Sequence, residues 1–124
     1  MEKYNLYNVL VGMFNHFPKD KTNYRFNDEN FNLFFYKRRG NYSVLNNAAF
    51  DKDDTFPTSK ELDEAYDTLD IGGLITRDVL HKGIDHINRK AFKIAFNKFS
   101  KPKFDDSELK ELEKLSLEFQ NEFC

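Results

Sequence analysis

The chain has 124 residues, 40% of them hydrophobic, and this length and composition predict a single folded domain with a core built largely from its 14 Phe residues. Charged residues make up 32% and the net charge is −2, which excludes a disordered tail, and no apolar run approaches the roughly 18 residues that a membrane span requires. The lone Cys124 excludes an internal disulfide and favours a reducing compartment, so we expect a cytoplasmic protein.

Apolar stripes predict two helices in the first half of the chain. Apolar residues recur at three- and four-residue spacing over Leu6 to Phe17, which is the pattern of an amphipathic helix. A second helix is predicted from Asn27 to Gly40, with Phe26 and Phe31 forming a hydrophobic staple around its start. Residues 42–50 fit either a short helix or an extended segment, and both alternatives stay open.

A helix followed by a β-hairpin is predicted in the middle of the chain. Thr58 and Glu61 stand at the positions of a capping box, which predicts a helix over residues 58–70. Gly72 and Gly73 are expected to end this helix in left-handed conformations, which carry no Cβ penalty for glycine. The first strand of the predicted hairpin runs from Leu74 to Thr76, and an extension of this strand to Leu80 is an alternative. A turn from His81 to Gly83 and a return strand from Ile84 to Ile87 complete the hairpin.

Two more helices are predicted in the last third of the chain. One spans Arg89 to Phe99 and directs Phe96 and Phe99 towards the core, and the other begins at Asp105, which forms a capping box with Glu108. The apolar stripe of the last helix consists of Leu109, Leu112, Leu115, Phe119 and Phe123. A stripe of this width must be buried, either on the core of its own chain or on a second copy.

The order helix, double glycine, strand, turn, strand and helix over residues 50–99 resembles the second half of a winged helix-turn-helix domain. The resemblance is carried by Leu69-Asp-Ile-Gly-Gly-Leu-Ile, where a helix ends and a strand begins, and by Ile87-Asn-Arg-Lys-Ala-Phe, where the helix after the wing begins. It implies a mostly helical α+β fold, with residues 1–124 forming one winged-helix-like domain that has a two-stranded wing and a C-terminal helix. Winged-helix proteins often dimerise through such a helix, so the resemblance also implies a homodimer through residues 105–123.

The helix that enters the DNA major groove in winged-helix proteins is acidic in this chain. Its candidate partner-binding residues are Glu61, Asp63, Glu64, Asp67 and Asp70. Because DNA carries about one negative charge per ~1.7 Å of its axis, this face is expected to repel it. We therefore predict a non-enzymatic protein-binding module that docks on a basic surface of a protein partner. The abundance of residues with AT-rich codons, such as Asn, Lys and Phe, suggests a phage or mobile-element accessory protein that inhibits a nucleic-acid-handling system.

A basic block follows the acidic helix. Residues 77–103 contain 8 basic and 2 acidic side chains, which gives this block a net charge of +6. The candidates for contact with nucleic-acid phosphate groups are Arg77, Lys82, Arg89, Lys90 and Lys93. Nucleic-acid binding is therefore expected only outside residues 58–70. The alternative function is that of a winged-helix transcription regulator that binds DNA as a dimer.

Sequence motifs of common enzyme active sites are missing. The chain has no glycine-rich phosphate loop, no Gly-x-Ser-x-Gly and no His-Glu-x-x-His, so no catalytic residue, cofactor or metal is predicted. One enzymatic alternative stays open. The hairpin is able to bring His81 and His86 close to Asp78 and Asp85, and these four side chains are of the types that hold a metal in a small metal-dependent enzyme.

Overall fold

The computed structural model of the chain describes residues 4–21, 23–46, 48–51, 56–77 and 83–123. These residues confirm the mostly helical α+β fold, and they contain five α-helices and one two-stranded antiparallel sheet. The helices are α1 (Leu6–Asn15), α2 (Asp28–Arg38), α3 (Lys60–Ile71), α4 (Arg89–Ala95) and α5 (Asp106–Phe123), and the strands are β1 (Ile75–Arg77) and β2 (Ile84–Ile87). Within the described part of the chain, no helix combines the length and the apolar character needed to cross a bilayer.

Helix α1 is shorter than predicted and begins with a cap, Asn5, that was not among the predicted ones. The Asn5 side chain accepts a hydrogen bond from the backbone N–H of Asn8 at 3.0 Å, and the Asn8 side chain accepts one from the N–H of Asn5 at 3.1 Å. The helix ends two residues before Phe17, whose N–H donates to the carbonyl of Phe14 at 3.1 Å. This turn keeps the Phe17 ring buried although the residue lies outside the helix.

The start of α2 agrees with the prediction. Asn27 caps the helix by accepting a hydrogen bond from the backbone N–H of Asn30 at 2.8 Å. The rings of Phe26 and Phe31 stack with their centroids 5.1 Å apart, which confirms the hydrophobic staple.

Residues 42–50, whose fold stayed open, contain a single 3₁₀ turn at Ser43–Leu45 in their described part. The turn is held by the carboxylate of Glu111 on α5, which accepts hydrogen bonds from the Ser43 hydroxyl and, at 3.2 Å, from the backbone N–H of Val44. The loop after α2 is thereby attached to the last helix.

Helix α3 begins later than predicted, because its cap is Ser59 rather than Thr58. Thr58 and Asp51 form an isolated β-bridge, with backbone hydrogen bonds of 2.9 and 2.7 Å, so Thr58 is held in extended pairing. The Ser59 hydroxyl accepts from the backbone N–H of Leu62 at 3.2 Å, and the Ser59 N–H donates to the side-chain oxygen of Asn32 at 3.0 Å. The capping-box prediction for Thr58 was therefore wrong by one residue.

This assignment predicts unequal effects of two neighbouring substitutions. Ser59→Ala should lower the free energy of unfolding by about 1 kcal/mol, because the N–H of Leu62 loses its capping oxygen. Thr58→Ala should have a smaller effect, because the bridge to Asp51 uses backbone atoms alone. Urea denaturation of both variants measures the difference. A larger loss of unfolding free energy for Thr58→Ala than for Ser59→Ala would show that Thr58 is the cap.

The end of α3 is a Schellman motif in which only one of the two glycines is left-handed. Gly73 has φ +78°, whereas Gly72 has φ −77° and stays right-handed. The N–H of Gly73 donates to the carbonyl of Asp70 at 3.1 Å, and the N–H of Leu74 donates to the carbonyl of Leu69 at 2.9 Å, which are the two bonds of that motif. The prediction for the double glycine thus holds at Gly73 and fails at Gly72.

The sheet forms the predicted hairpin, with a third contact from earlier in the chain. The register pairs Ile75 with Ile87, Thr76 with His86 and Arg77 with Ile84, and an irregularity lies between Thr76 and Arg77. Strand β2 has the predicted bounds, β1 begins one residue late, and the expected extension to Leu80 and turn at His81 and Lys82 lie outside the described residues. Tyr24 exchanges two backbone hydrogen bonds with Ile84, of 2.8 and 2.7 Å, and so adds a one-residue edge to β2.

The helix predicted from Arg89 to Phe99 changes its geometry partway. Its last turn, Phe96–Ser100, is π-helical, with hydrogen bonds five residues apart. This wider turn places Ser100 on the buried side, where its hydroxyl accepts from the Asn8 side-chain amide at 3.1 Å. Phe99 is rotated outwards and is 66% exposed, so the prediction that it points into the core was wrong.

Phe119 on α5 is a hub of the aromatic core. Its ring has centroid distances of 4.7 to 6.3 Å to rings contributed by α1, α2, α5 and the segments that precede α2. These rings belong to Phe14, Phe17, Tyr24, Phe26, Phe31, Phe34, Phe35 and Phe123. Four of the five residues of the apolar stripe of α5 are buried on their own chain, and the fifth, Leu109, is half-buried against the same core. The predicted capping box of α5 is also confirmed, with bonds of 2.8 and 2.9 Å between Asp105 and Glu108.

Candidate interaction surfaces

The outward face of α3 is an acidic stripe with an apolar end. Its residues Glu61, Glu64, Thr68 and Ile71 recur at intervals of three and four, and all four are exposed. Ile71 at the end of the stripe is 86% exposed. We call these four residues the α3 stripe. The opposite face of the helix packs inwards through Leu62, Ala65, Tyr66 and Leu69.

Only two of the five acidic residues predicted as partner-binding lie on the α3 stripe, namely Glu61 and Glu64. Asp63 is half-buried against α2, where the Asn32 amide donates to its carboxylate at 3.4 Å. Lys60 approaches Glu64 at 3.9 Å, a solvent-exposed pair one helical turn apart that contributes little stability. The free acidic surface of α3 is therefore narrower than the sequence suggests.

The other two acidic residues, Asp67 and Asp70, are engaged by Arg77 from β1. The guanidinium of Arg77 pairs with the Asp67 carboxylate, its Nε lies 3.4 Å from Asp70 Oδ2, and it is 4.7 Å from the centre of the Tyr66 ring. Burial raises the pKa of Tyr66, and the Arg77 charge partly offsets this rise. Arg77, which was predicted to contact phosphate, thus lies among the acidic residues.

Three of the predicted basic residues lie in one cleft with residues from elsewhere in the chain. The cleft has a volume of about 490 Å³ and lies between the end of α1, the segment after it, and α4. Its lining residues are Asn15, Lys19, Arg89, Lys90, Lys93 and Asn97, and we call it the basic cleft. The Arg89 guanidinium donates to the carbonyl of Phe17, which fixes it at the end of α1. Lys82, the remaining predicted residue, lies outside the described residues.

Helix α1 separates the two charged surfaces. Asn5, Leu6 and Tyr7 at its first turn line a shallow cleft with Glu61 and Glu64, whereas Asn15 at its other end lines the basic cleft. The 10 residues of α1 span about 15 Å. Its own first turn has no acidic residue and its last turn no basic one, so neighbours from α3 and α4 supply the charges that complement its dipole.

The residues of the metal-site alternative are only partly described. Asp85 and His86 are exposed on β2, and Asp78 and His81 lie outside the described residues. Within residues 4–21, 23–46, 48–51, 56–77 and 83–123, no group of three or more His, Cys, Asp or Glu side chains is arranged to hold a metal ion.

The outer face of α5 is the part of that helix that is not buried in the core of its own chain. The inner residues Leu112, Leu115, Phe119 and Phe123 are buried in the chain's own core, whereas Leu117 is 56% exposed. Comparisons with protein-family models, curated proteins and solved structures gave no match to this chain.

Proposed function

We propose that the protein is a non-enzymatic, winged-helix-like module that binds another protein through the α3 stripe. The observation that carries this proposal is the exposure of Ile71, a large apolar side chain at the end of an acidic helix face. Burial of one such side chain in a partner stabilises a complex by about 1.5–3 kcal/mol. The carboxylates of Glu61 and Glu64 supply the specificity of the interaction, because charges at the rim of an interface direct the choice of partner.

The order of elements supports the winged-helix-like part of the proposal. Helix α1 is followed by the bridging residue Tyr24, then by α2, α3 and the hairpin of β1 and β2. In the fold that the sequence resembles, the helix before the hairpin is the one that faces the ligand. Here that helix is α3, which presents carboxylates in place of the Arg, Asn and Gln side chains that read base edges.

The partner that fits the α3 stripe is a protein with a basic surface and an apolar notch. A surface that otherwise binds nucleic acid has the required charge, so occupation by α3 would exclude the nucleic acid. The proposed role is therefore that of a cytoplasmic accessory protein, of a phage or a mobile element, that inhibits a nucleic-acid-handling system. The support for this origin is compositional, namely the abundance of residues with AT-rich codons.

Site-specific photo-crosslinking in the native host tests the proposal. A crosslinking residue at Thr68, in the middle of the α3 stripe, should give one discrete adduct with a protein that has a basic surface. The same residue at Glu113, exposed on α5, should not give this adduct. In a Glu61→Lys/Glu64→Lys background, the Thr68 adduct should be lost, because charge reversal makes the stripe repel a basic surface.

Two outcomes would contradict the proposal. One is the same adduct from Thr68 and from Glu113, which would show that the stripe has no special role. The other is an adduct that persists after both glutamates are reversed, which would show that the acidic charge does not select the partner. Circular dichroism of the double variant serves as the control for folding, since both glutamates are exposed.

The order of elements also supports a second candidate, a winged-helix DNA-binding regulator. Such a regulator would bring α3 to the major groove and would dimerise through residues 105–123, for which the outer face with Leu117 is available. A gel-shift assay with duplex DNA separates the two candidates. Tight, sequence-specific duplex binding by the unmodified protein would replace the protein-binding proposal, and sedimentation of the free protein would show whether it dimerises.

A further inference from the structure

The basic cleft collects positive charge that the described part of the chain does not neutralise. Of the six described residues that line it, four are cationic and two are amides, so no carboxylate of the described residues lines it. The ion pairs found among the described residues all involve Arg38, Lys60 or Arg77, none of which lines the cleft. Lys90 and Lys93 are exposed, whereas Arg89 is half-buried and fixed by the carbonyl of Phe17.

We propose that the basic cleft binds phosphate groups, and that the backbone of a nucleic acid supplies them. This inference does not depend on the proposed function, because the α3 stripe lies at the other end of α1. Four like charges around one cleft repel each other, and an anion with more than one negative charge reduces this electrostatic repulsion most. Arg and Lys side chains together offer many N–H donors, which suits the several acceptor oxygens of a phosphate group.

The lining residues indicate which part of a nucleic acid is recognised. Asn15 and Asn97 add amide donors to the cations, but among the described residues no aromatic ring on which a base would stack lines the cleft. Contacts of this kind position a nucleic acid without reading its sequence. We therefore expect binding that is insensitive to base sequence and strongly weakened by salt.

The surface beyond the cleft favours a phosphate chain over a single phosphate compound. Lys98, Lys101 and Lys103 follow Asn97 along the chain, and all three are exposed. A nucleic-acid backbone is able to continue from the cleft across these lysines, whereas a short polyphosphate is confined to the cleft. The two sources of phosphate therefore predict different responses to substitutions outside the cleft.

Fluorescence anisotropy with a labelled oligonucleotide and isothermal titration with tripolyphosphate test the inference at low salt. Lys90→Gln/Lys93→Gln should lower the affinity for both ligands by roughly tenfold. It should also reduce the slope of log affinity against log salt concentration by about one unit for each phosphate contact that is lost. Lys37→Gln/Lys110→Gln removes two exposed charges elsewhere and should change binding little. Lys98→Gln/Lys101→Gln should lower the affinity for the oligonucleotide and leave the affinity for tripolyphosphate unchanged.

Each other result counts against the inference. Equal losses of affinity in the cleft variant and in the control variant would show that the ligands are attracted diffusely to a charged surface and do not bind at one site. Tripolyphosphate that binds as tightly as the oligonucleotide would assign the cleft to a small phosphate compound. Polyglutamate that competes as well as the oligonucleotide would assign it to an acidic protein. Nuclear magnetic resonance adds a test without substitutions, because the side-chain amide signals of Asn15 and Asn97 should shift on titration with phosphate.

Discussion

Phe119→Ala should lower the free energy of unfolding by about 3–5 kcal/mol, the largest effect that we expect from one substitution in this chain. The Phe119 side chain is fully buried, and its ring meets aromatic rings from α1, α2 and its own helix. Removal of the ring leaves a cavity that neighbouring rigid rings fill poorly. Since small domains are stable by only about 5–15 kcal/mol, this loss removes a large fraction of the total stability.

Phe99→Ala is the matched control for Phe119→Ala. It deletes the same side chain from a position that is 66% exposed, so the free energy of unfolding should change by about 0.5 kcal/mol or less. Urea denaturation monitored by circular dichroism measures both variants. Similar losses at the two positions would contradict the π-helical turn that rotates Phe99 outwards, and an unchanged Phe119→Ala would contradict the assignment of the core.

Gly83→Ala should destabilise the protein by about 1–3 kcal/mol through steric overlap, and more if the sheet edge opens. A Cβ atom at Gly83 would lie 2.5 Å from the carbonyl oxygen of Tyr24 and 3.2 Å from the Cα of Arg25. These are backbone atoms, so no rotation of a side chain relieves the overlap. The neighbouring pair of hydrogen bonds between Tyr24 and Ile84 should therefore break or lengthen.

Gly40→Ala is the control for this second substitution. A Cβ atom there has no neighbour within 4 Å, so the variant should be close to neutral. Hydrogen exchange of the Tyr24 and Ile84 amides tests the mechanism directly. Faster exchange of both amides in Gly83→Ala is the expected result, and unchanged exchange with unchanged stability would show that Tyr24 does not pair with β2.

Local signals in the sequence predicted most of the secondary structure. Asn27, Asp105 and the Phe26–Phe31 staple depend on residues a few positions apart, so their patterns are readable without knowledge of the fold. The cap of α3 was misplaced because a distant residue decided it: Asp51 holds Thr58 in a bridge. The outward rotation of Phe99 was missed for a similar reason, since the buried bond between Ser100 and Asn8 accompanies the π-helical turn.

The candidate surfaces were predictable only where one helix carries them. Glu61 and Glu64 follow from the period of α3 and lie on its outward face as expected. The engagement of Asp67 by Arg77 depends on the register of the hairpin, which the sequence does not specify. Lys19 was missed as a member of the basic cleft, because it lies 70 residues before Arg89 in the numbering and no local pattern connects the two.

The position of Phe119 in α5 has a consequence for biosynthesis. A ribosome delivers the chain from its amino end, so α1, α2 and α3 leave the exit tunnel before the helix that covers their aromatic rings. Until α5 follows, the nascent chain exposes Phe14, Phe31 and Phe34, and such surfaces are the ones that chaperones protect from aggregation. The aromatic core is therefore completed only once α5 has left the tunnel.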